Sequence, residues 1–224
     1  MSNKPADLWK KIDANKTPGT MPVSEVFWSK FKPGNQILEV GCGWGRIIEN
    51  CLDRKLRVVG IDINLNEIIA LTTKLNKDGV DSNLVEIYEK SVLDTGFKDN
   101  KFDGIIMQGV LSALSRKDRM KCLEEVYRML KPGGCVHIGE FQLNDSDPIF
   151  KKRYDEDFLT TKEYGTLSVK DGNGNEMYQS HNFSIDEITD MLKRSGFAST
   201  KVIKDIFTSY HGNKKPGMMI ISKK

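Results

Sequence analysis

The chain has 224 residues, of which 38% are hydrophobic and 29% are charged, with a formal net charge of +3. These proportions are typical of one soluble globular domain and argue against intrinsic disorder. The nearly balanced charge offers no broad electrostatic surface for nucleic acid or anionic membrane, so we expect neither as a partner.

Two features of the sequence predict a cytoplasmic protein. The first residues, MSNKPADLWKK, lack the apolar core of a signal peptide, and no apolar run approaches the roughly 20 residues of a membrane span. The cysteines are far apart without C-x-x-C spacing, which indicates a reducing compartment and neither disulfides nor a metal cage. They are Cys42, Cys51, Cys122 and Cys135.

Strand-like and helix-like segments alternate along the first two thirds of the chain. The predicted strands are Gln36–Val40, Arg57–Ile61, Asn83–Tyr88, Phe102–Gln108 and Cys135–Phe141. Helix starts are predicted at Asn64, Ser115 and Ser184, each a residue type that caps helices. This alternation predicts an α/β fold with a Rossmann-like, doubly wound and mostly parallel sheet.

Two more strands are predicted near the end of the chain, Val202–Phe207 and Met218–Ser222. The short Gly/Pro/Lys connection between them requires an antiparallel pair. We therefore expect a seven-stranded sheet whose last strand is antiparallel to the others. The lysines of this region, Lys214, Lys215 and the terminal Lys223-Lys224, are expected to be solvated.

Two stretches fall outside the alternation within what we expect to be a single domain, residues 1–224. Residues 1–32 carry two short amphipathic patterns and are interpreted as an N-terminal helical flap. Residues 142–183 form an insertion with a helix-like segment, Asp147–Thr161, followed by a hairpin pattern over 166–180. Long insertions are often functional, so we interpret this one as a substrate lid. The alternative is a stabilising or dimerising appendage.

A glycine cluster after the first strand is the main candidate for a binding site. Gly41, Gly43 and Gly45 lie between a strand and a helix, where the backbone must turn sharply and approach a ligand. Asp62 ends the next strand, 21 residues after Gly41. A carboxylate there can accept hydrogen bonds from both hydroxyls of a ribose.

Two classes of nucleoside cofactor fit this geometry. A nicotinamide dinucleotide prefers G-x-G-x-x-G, but here the sixth position is Arg46. Glu39 places an acid just before the loop, which is unfavourable beside a pyrophosphate and favourable beside a sulfonium and an amino group. The order of acid and glycines therefore favours S-adenosylmethionine.

At this point the chain resembles the class I S-adenosylmethionine-dependent methyltransferases of the broad type 11/12 kind. The resemblance spans about residues 34–141 and is carried by ILEVGCGWGR, VVGIDIN, FKDNKFDGIIMQGVL and MLKPGGCVHIGEF. It implies a cofactor site formed by Glu39, Gly41, Cys42, Gly43, Gly45, Asp62, Ile63, Ser91, Val92, Gln108 and Gly109. Ser91 departs from the family's usual Asp, and Ser112-Ala113 replaces a polar pair that often contains histidine.

Catalytic and acceptor-binding residues are less constrained by the sequence. His181 and Glu140 are candidate bases, with a helix-start hydrogen bond and a structural hydrogen bond as the respective alternatives. Tyr154, Tyr178 and Trp9 are candidates for binding the acceptor, with packing inside the lid as the alternative for the tyrosines. No metal is expected.

These observations predict an S-adenosylmethionine-dependent methyltransferase. The sulfonium is an activated leaving group, so positioning the acceptor in line supplies much of the rate and few catalytic residues are needed. The lid and the near-neutral charge favour a small-molecule acceptor. The alternatives are a tRNA or protein methyltransferase and a non-catalytic S-adenosylmethionine-binding module.

Overall fold

Nine strands are present in the computed structural model, which describes residues 8–10, 21–209 and 212–224. In chain order they are β1 (Gln36–Val40), β2 (Arg57–Asp62), β3 (Val85–Glu89), β4 (Phe102–Gln108), β5 (Leu130–Phe141), β6 (Thr166–Lys170), β7 (Glu176–His181), β8 (Ser199–Thr208) and β9 (Lys214–Lys223). The helices of the described residues are α1 (Glu25–Trp28), α2 (Arg46–Asp53), α3 (Leu65–Lys77), α4 (Arg116–Met129), α5 (Pro148–Thr161) and α6 (Ile185–Arg194).

Seven of these strands form one sheet in the order β3-β2-β1-β4-β5-β9-β8. The first five strands of this order, β3, β2, β1, β4 and β5, are parallel to one another. β9 is antiparallel to both of its neighbours, β5 and β8. The order reverses direction between β1 and β4, and ligands of open α/β sheets bind at such a switch point. The predicted fold class is confirmed.

Different helices cover the two faces of the sheet, because its central strands are apolar on both sides. On one face α4 and α6 pack against the strands through residues such as Leu123 and Leu192. On the other face α1, α2 and α3 pack through residues such as Phe27, Ile48 and Leu71. The arrangement is doubly wound.

Helix starts follow the capping residues of the sequence. The side chain of Asn64 accepts a hydrogen bond from the Asn66 amide (3.1 Å), and Ser184 Oγ accepts one from the Glu187 amide (3.1 Å). Ser115 precedes α4 without capping its backbone, because its hydroxyl bonds to the Asp118 carboxylate instead.

Several predicted boundaries are wrong. β5 begins at Leu130, five residues before the predicted start at Cys135, so Pro132–Gly134 lie within the strand. β3 begins at Val85, two residues later than predicted. β9 begins at Lys214, so the lysines and Pro216-Gly217 lie within the strand. Neighbouring strands supply hydrogen bonds that override the local turn signals of glycine and proline.

The insertion has the predicted internal order. It consists of α5 followed by the antiparallel hairpin β6–β7. Its ends lie together, because Gln142 pairs with Phe183 in an isolated bridge next to the end of β5. Only part of the predicted N-terminal flap lies among the described residues: Leu8 and Trp9 are helical, residues 11–20 lie outside, and α1 follows.

The segment before α1 is fixed to the sheet by a buried histidine. The Ser24 amide donates to His137 Nε2 (3.1 Å) in the middle of β5. Burial lowers the pKa of His137 to about 4, so the ring is neutral and able to accept this bond. No helix of the described residues has the length and apolar character needed to cross a membrane.

Candidate active site

The glycine loop after β1 turns beside the end of β2. The amides of Gly41 and Cys42 both donate to the Ile61 carbonyl, at 2.8 and 3.1 Å. Gly43 and Gly45 have positive φ values, +46° and +93°. A Cβ at Gly45 would lie 2.3 Å from Leu71 Cδ1, whereas one at Gly43 would meet nothing within 4 Å. Gly45 thus permits close packing of the loop on α3, and Gly43 leaves open space above the loop.

Asp62 holds the loop from the end of β2. Its carboxylate accepts hydrogen bonds from the Gly43 amide (3.0 Å) and the Asn64 amide (2.9 Å). Burial raises the pKa of Asp62, and the amide donors act in the opposite direction. Each oxygen retains a lone pair for a further donor, as a ribose hydroxyl would provide.

Glu39 lies buried beneath the loop, in β1. Burial raises the pKa of Glu39 well above its ordinary value, and the nearby Arg46 acts against this shift. Glu39 Oε2 is buried without a hydrogen-bond partner among the described residues. A buried acceptor of this kind needs a donor, and a cationic amino group would supply one.

Gln108 and Gly109 form the neighbouring wall at the end of β4. Gly139 of β5 leaves the space for Gln108, because a Cβ there would lie 1.8 Å from Gln108 Oε1. Gln108 Nε2 donates to the Pro22 carbonyl (3.3 Å), and the Gly109 amide donates to the Gly139 carbonyl (2.9 Å). The N-terminal segment is therefore joined to the wall of the site.

The structure gives local roles to the other predicted cofactor residues. Ser91 Oγ accepts a hydrogen bond from the Leu93 amide (3.2 Å), so the hydroxyl stabilises its own turn after β3. Val92 is buried beside it. Ile63 follows Asp62 at the edge of the site. Cys42 is buried, and burial raises the pKa of its thiol well above the ordinary value, which disfavours a thiolate nucleophile.

Glu140 lies behind the loop that follows β4 and is fully buried. Its Oε1 accepts hydrogen bonds from the amides of Leu111 (2.9 Å) and Ser112 (3.3 Å). Burial raises the pKa of Glu140 to about 7. This geometry favours the structural alternative for Glu140, since the carboxyl group holds the loop that carries Gly109.

His181 belongs to a buried ion network that sequence reasoning missed. Its Nε2 lies 3.2 Å from both carboxylate oxygens of Glu187, and its Nδ1 lies 2.9 Å from Thr166 Oγ1. Arg119 of α4 donates to both oxygens of Glu163, at 2.7 and 3.1 Å. Both imidazole nitrogens are engaged, which favours the helix-start alternative for His181 over the role of a base.

The same network bears on metal binding. Glu163, His181 and Glu187 present ligand atoms within 4.8 Å of one another. The guanidinium of Arg119 lies against this group, with Nη1 4.0 Å from Glu187 Oε1. Arg119 pairs with Glu163, and His181 pairs with Glu187, so each of these side chains has a partner within the protein.

The candidates for acceptor binding separate into two groups. Tyr154 is buried inside the insertion, where its hydroxyl accepts from Asn182 Nδ2 (2.7 Å). Tyr178 of the hairpin lies against Trp9, with ring centroids 4.5 Å apart, and Asn64 Nδ2 donates to the Trp9 carbonyl (3.5 Å). Trp9 thus connects the insertion to the loop that follows Asp62.

Fold and site together define a class of protein. A glycine loop, a carboxylate at the end of the second strand and a buried acid with one unpartnered oxygen lie together at the switch point of the sheet. This arrangement is typical of the nucleoside-cofactor sites of Rossmann-like enzymes. Glu39 favours a positively charged sulfonium nearby and disfavours the pyrophosphate of a dinucleotide.

Known proteins specify the family. Residues 38–138 match a family described as methyltransferase domain. The ubiquinone/menaquinone biosynthesis C-methyltransferase UbiE of Hydrogenovibrio crunogenus is 32% identical over 130 residues, 57% of this chain and 50% of that protein. UbiE of Vibrio campbellii is 27% identical over 187 residues, 78% of this chain and 71% of that protein. A solved structure of a SAM-dependent methyltransferase of Methanosarcina mazei superposes with a TM-score of 0.83 at 28% identity, covering 91% of this chain and 99% of that one.

Residues 38–138 form a methyltransferase domain, the chain is similar to S-adenosylmethionine-dependent methyltransferases, and its cofactor is S-adenosylmethionine. The chain spans 50% of the Hydrogenovibrio crunogenus UbiE and 71% of the Vibrio campbellii UbiE. The resemblance inferred from the sequence motifs is confirmed.

Proposed function

We propose that this protein transfers the methyl group of S-adenosylmethionine to a small-molecule acceptor by in-line displacement. The observation that carries the proposal is the placement of the glycine loop, Asp62 and Glu39 at the sheet edge where the insertion 142–183 leaves and returns. The insertion then acts as a lid over the reacting atoms, and the described residues 21–32 act as a second flap.

Each cofactor-binding role follows from a contact in the site. Asp62 is proposed to accept hydrogen bonds from the ribose, since the Gly43 and Asn64 amides already fix its carboxylate. Glu39 is proposed to accept from the amino group of the methionine part, because its Oε2 needs a donor. When bound, S-adenosylmethionine supplies an activated methyl group on a positively charged sulfur. Gln108 and Gly109 would flank that end of the cofactor.

The acceptor is proposed to lie beside Gly109 against an apolar wall. Met21, Phe141, Phe207 and Met219 form a buried cluster there. Met21 reaches the methyl-transfer side, since its Cε lies 4.0 Å from the position of a Cβ at Gly109. Such a wall excludes water and holds an acceptor in line with the methyl group. The UbiE relatives are named for C-methylation in quinone biosynthesis, which fits an apolar acceptor.

Glu140 and His181 are proposed to act as positioning residues. Glu140 fixes the loop carrying Gly109, and His181 fixes the insertion on α6 through Glu187. The reaction then relies on alignment and on the acceptor's own nucleophilicity, with no dedicated base from these two side chains.

A cytoplasmic location is proposed because the cysteines form no disulfides. All four are free and buried. Free thiols persist in a reducing compartment.

The experiment that tests the proposed function is incubation of the full chain with radiolabelled S-adenosylmethionine and a fractionated cell extract. Label in the small-molecule fraction, absent with Asp62→Ala, supports the proposal. Label in tRNA or protein supports the macromolecular alternative. Cofactor binding without any labelled product supports the non-catalytic module.

A further inference from the structure

The apolar wall of the site ends in a pair of positive side chains. Lys215, near the start of β9, is half-buried and lies over two aromatic rings. Its Nζ is 4.9 Å from the centroid of Phe150, on α5 of the insertion, and 5.6 Å from that of Phe141, at the end of β5. Lys215 therefore lies where the insertion meets the sheet edge.

Lys215 is on the same side of the sheet as the acceptor wall. It pairs with Phe207 across β8 and β9, and paired residues share a face. Phe141 joins Lys215 to Met21, which contacts the Gly109 side of the site. A molecule bound along this wall would have its reacting end at Gly109 and its far end at Lys215.

Among residues 8–10, 21–209 and 212–224, neither Lys215 nor Arg153 of α5 has an ion-pair or hydrogen-bond partner. Burial, together with the positive charge of Arg153, lowers the pKa of Lys215 to about 8. Arg153 lies one turn after Phe150 on α5, so it shares the helix face that Lys215 contacts. Two unpaired cations in a half-buried place are stabilised when an anion binds beside both of them.

We propose that Lys215 and Arg153 form an anion-binding subsite of the acceptor pocket, so that the acceptor is an apolar molecule carrying an oxyanion, a carboxylate or a phosphate, at its far end. This inference rests on the proposed function and specifies its substrate class. The aromatic rings of Phe141 and Phe150 hold the ammonium by cation–π contact and border the apolar part of the ligand.

The test uses the full chain, radiolabelled S-adenosylmethionine and the small-molecule fraction of a cell extract, with products separated by anion exchange at pH 7. Labelled product from the unmodified protein should be anionic. With Lys215→Gln the rate at low acceptor concentration should fall about tenfold or more through KM, because a charge-assisted contact is lost. Lys215→Arg should retain most activity, and the neighbouring exposed Lys214→Gln is the matched control with no change expected.

The outcomes separate the two proposals. Neutral labelled product, or anionic product formed equally well by Lys215→Gln, overturns the subsite and leaves the methyltransferase proposal standing. No labelled product from the unmodified protein overturns the proposed function itself. Binding of S-adenosylhomocysteine, measured by calorimetry, should be the same in all variants, since Lys215 lies on β9, three strands along the sheet from β1 and its glycine loop. Phosphatase treatment of the product distinguishes the two anions, because only a phosphate ester then loses its charge.

Discussion

The buried ion network predicts a large stability loss when Arg119 is replaced by Met. Arg119 is 2% exposed, donates twice to Glu163 and once to the Leu111 carbonyl (3.2 Å), and lies 5.1 Å from the ring of Phe183. The substitution leaves the half-buried Glu163 carboxylate without the Arg119 cation, and the Leu111 carbonyl keeps only the Leu114 amide as a donor (3.1 Å). Breaking a buried pair in this way costs about 3–5 kcal/mol. In a chain of this size each kcal/mol lowers Tm by about 2–4 °C, so Tm should fall by roughly 10 °C.

The assay is thermal and urea unfolding followed by circular dichroism. Lys151→Met is the matched control, because Lys151 and Asp155 form an exposed pair on α5 (3.5 Å) and exposed pairs contribute about 0–1 kcal/mol. Arg119→Met combined with Glu163→Gln should recover part of the loss, since the uncompensated charge is then removed. The reasoning is refuted if Arg119→Met and Lys151→Met lower Tm equally.

Three further predictions concern the glycine loop, a buried acid and the thiols. Gly45→Ala should destabilise the fold more than Gly43→Ala, since only at Gly45 does a Cβ clash with Leu71; equal midpoints in urea contradict this. Burial raises the pKa of Glu140 to about 7, so the native state binds its proton more tightly than the unfolded chain, and stability falls as pH rises from about 4.5 through 7. Glu140→Gln should make the free energy of unfolding depend less on pH over this range. An unchanged pH dependence in the variant contradicts the role of Glu140. The four buried cysteines should resist a thiol reagent until urea unfolds the chain; rapid native labelling contradicts this.

Local patterns were sufficient to predict the sheet and the cofactor loop. Continuous apolar runs predicted β1, β2 and β4, and the glycines with Asp62 predicted the loop between them, because every part of that signal lies within about 30 residues. The hairpin β6–β7 was predictable from its Asp171–Asn175 turn for the same reason. These features depend on neighbours in sequence.

Features that depend on distant pairings could not be predicted. Arg119 and Glu163 are 44 residues apart and meet only because the insertion folds back onto α4. Lys215 was expected to be solvated, but pairing of β9 with β5 and β8 brings it under Phe150. Lys224 was also expected to be solvated, yet its Nζ donates to the carbonyls of Tyr127 and Leu130, each at 2.8 Å. Charge alone predicts exposure, and only tertiary packing reverses it.

Calorimetric titration of S-adenosylmethionine into the full chain tests the central claim most directly. The account predicts one site of about micromolar affinity. Asp62→Ala should abolish binding while circular dichroism shows a folded chain, and the exposed Asp53→Ala should bind normally. Absence of binding to the unmodified protein, or undiminished binding to Asp62→Ala, would contradict the account.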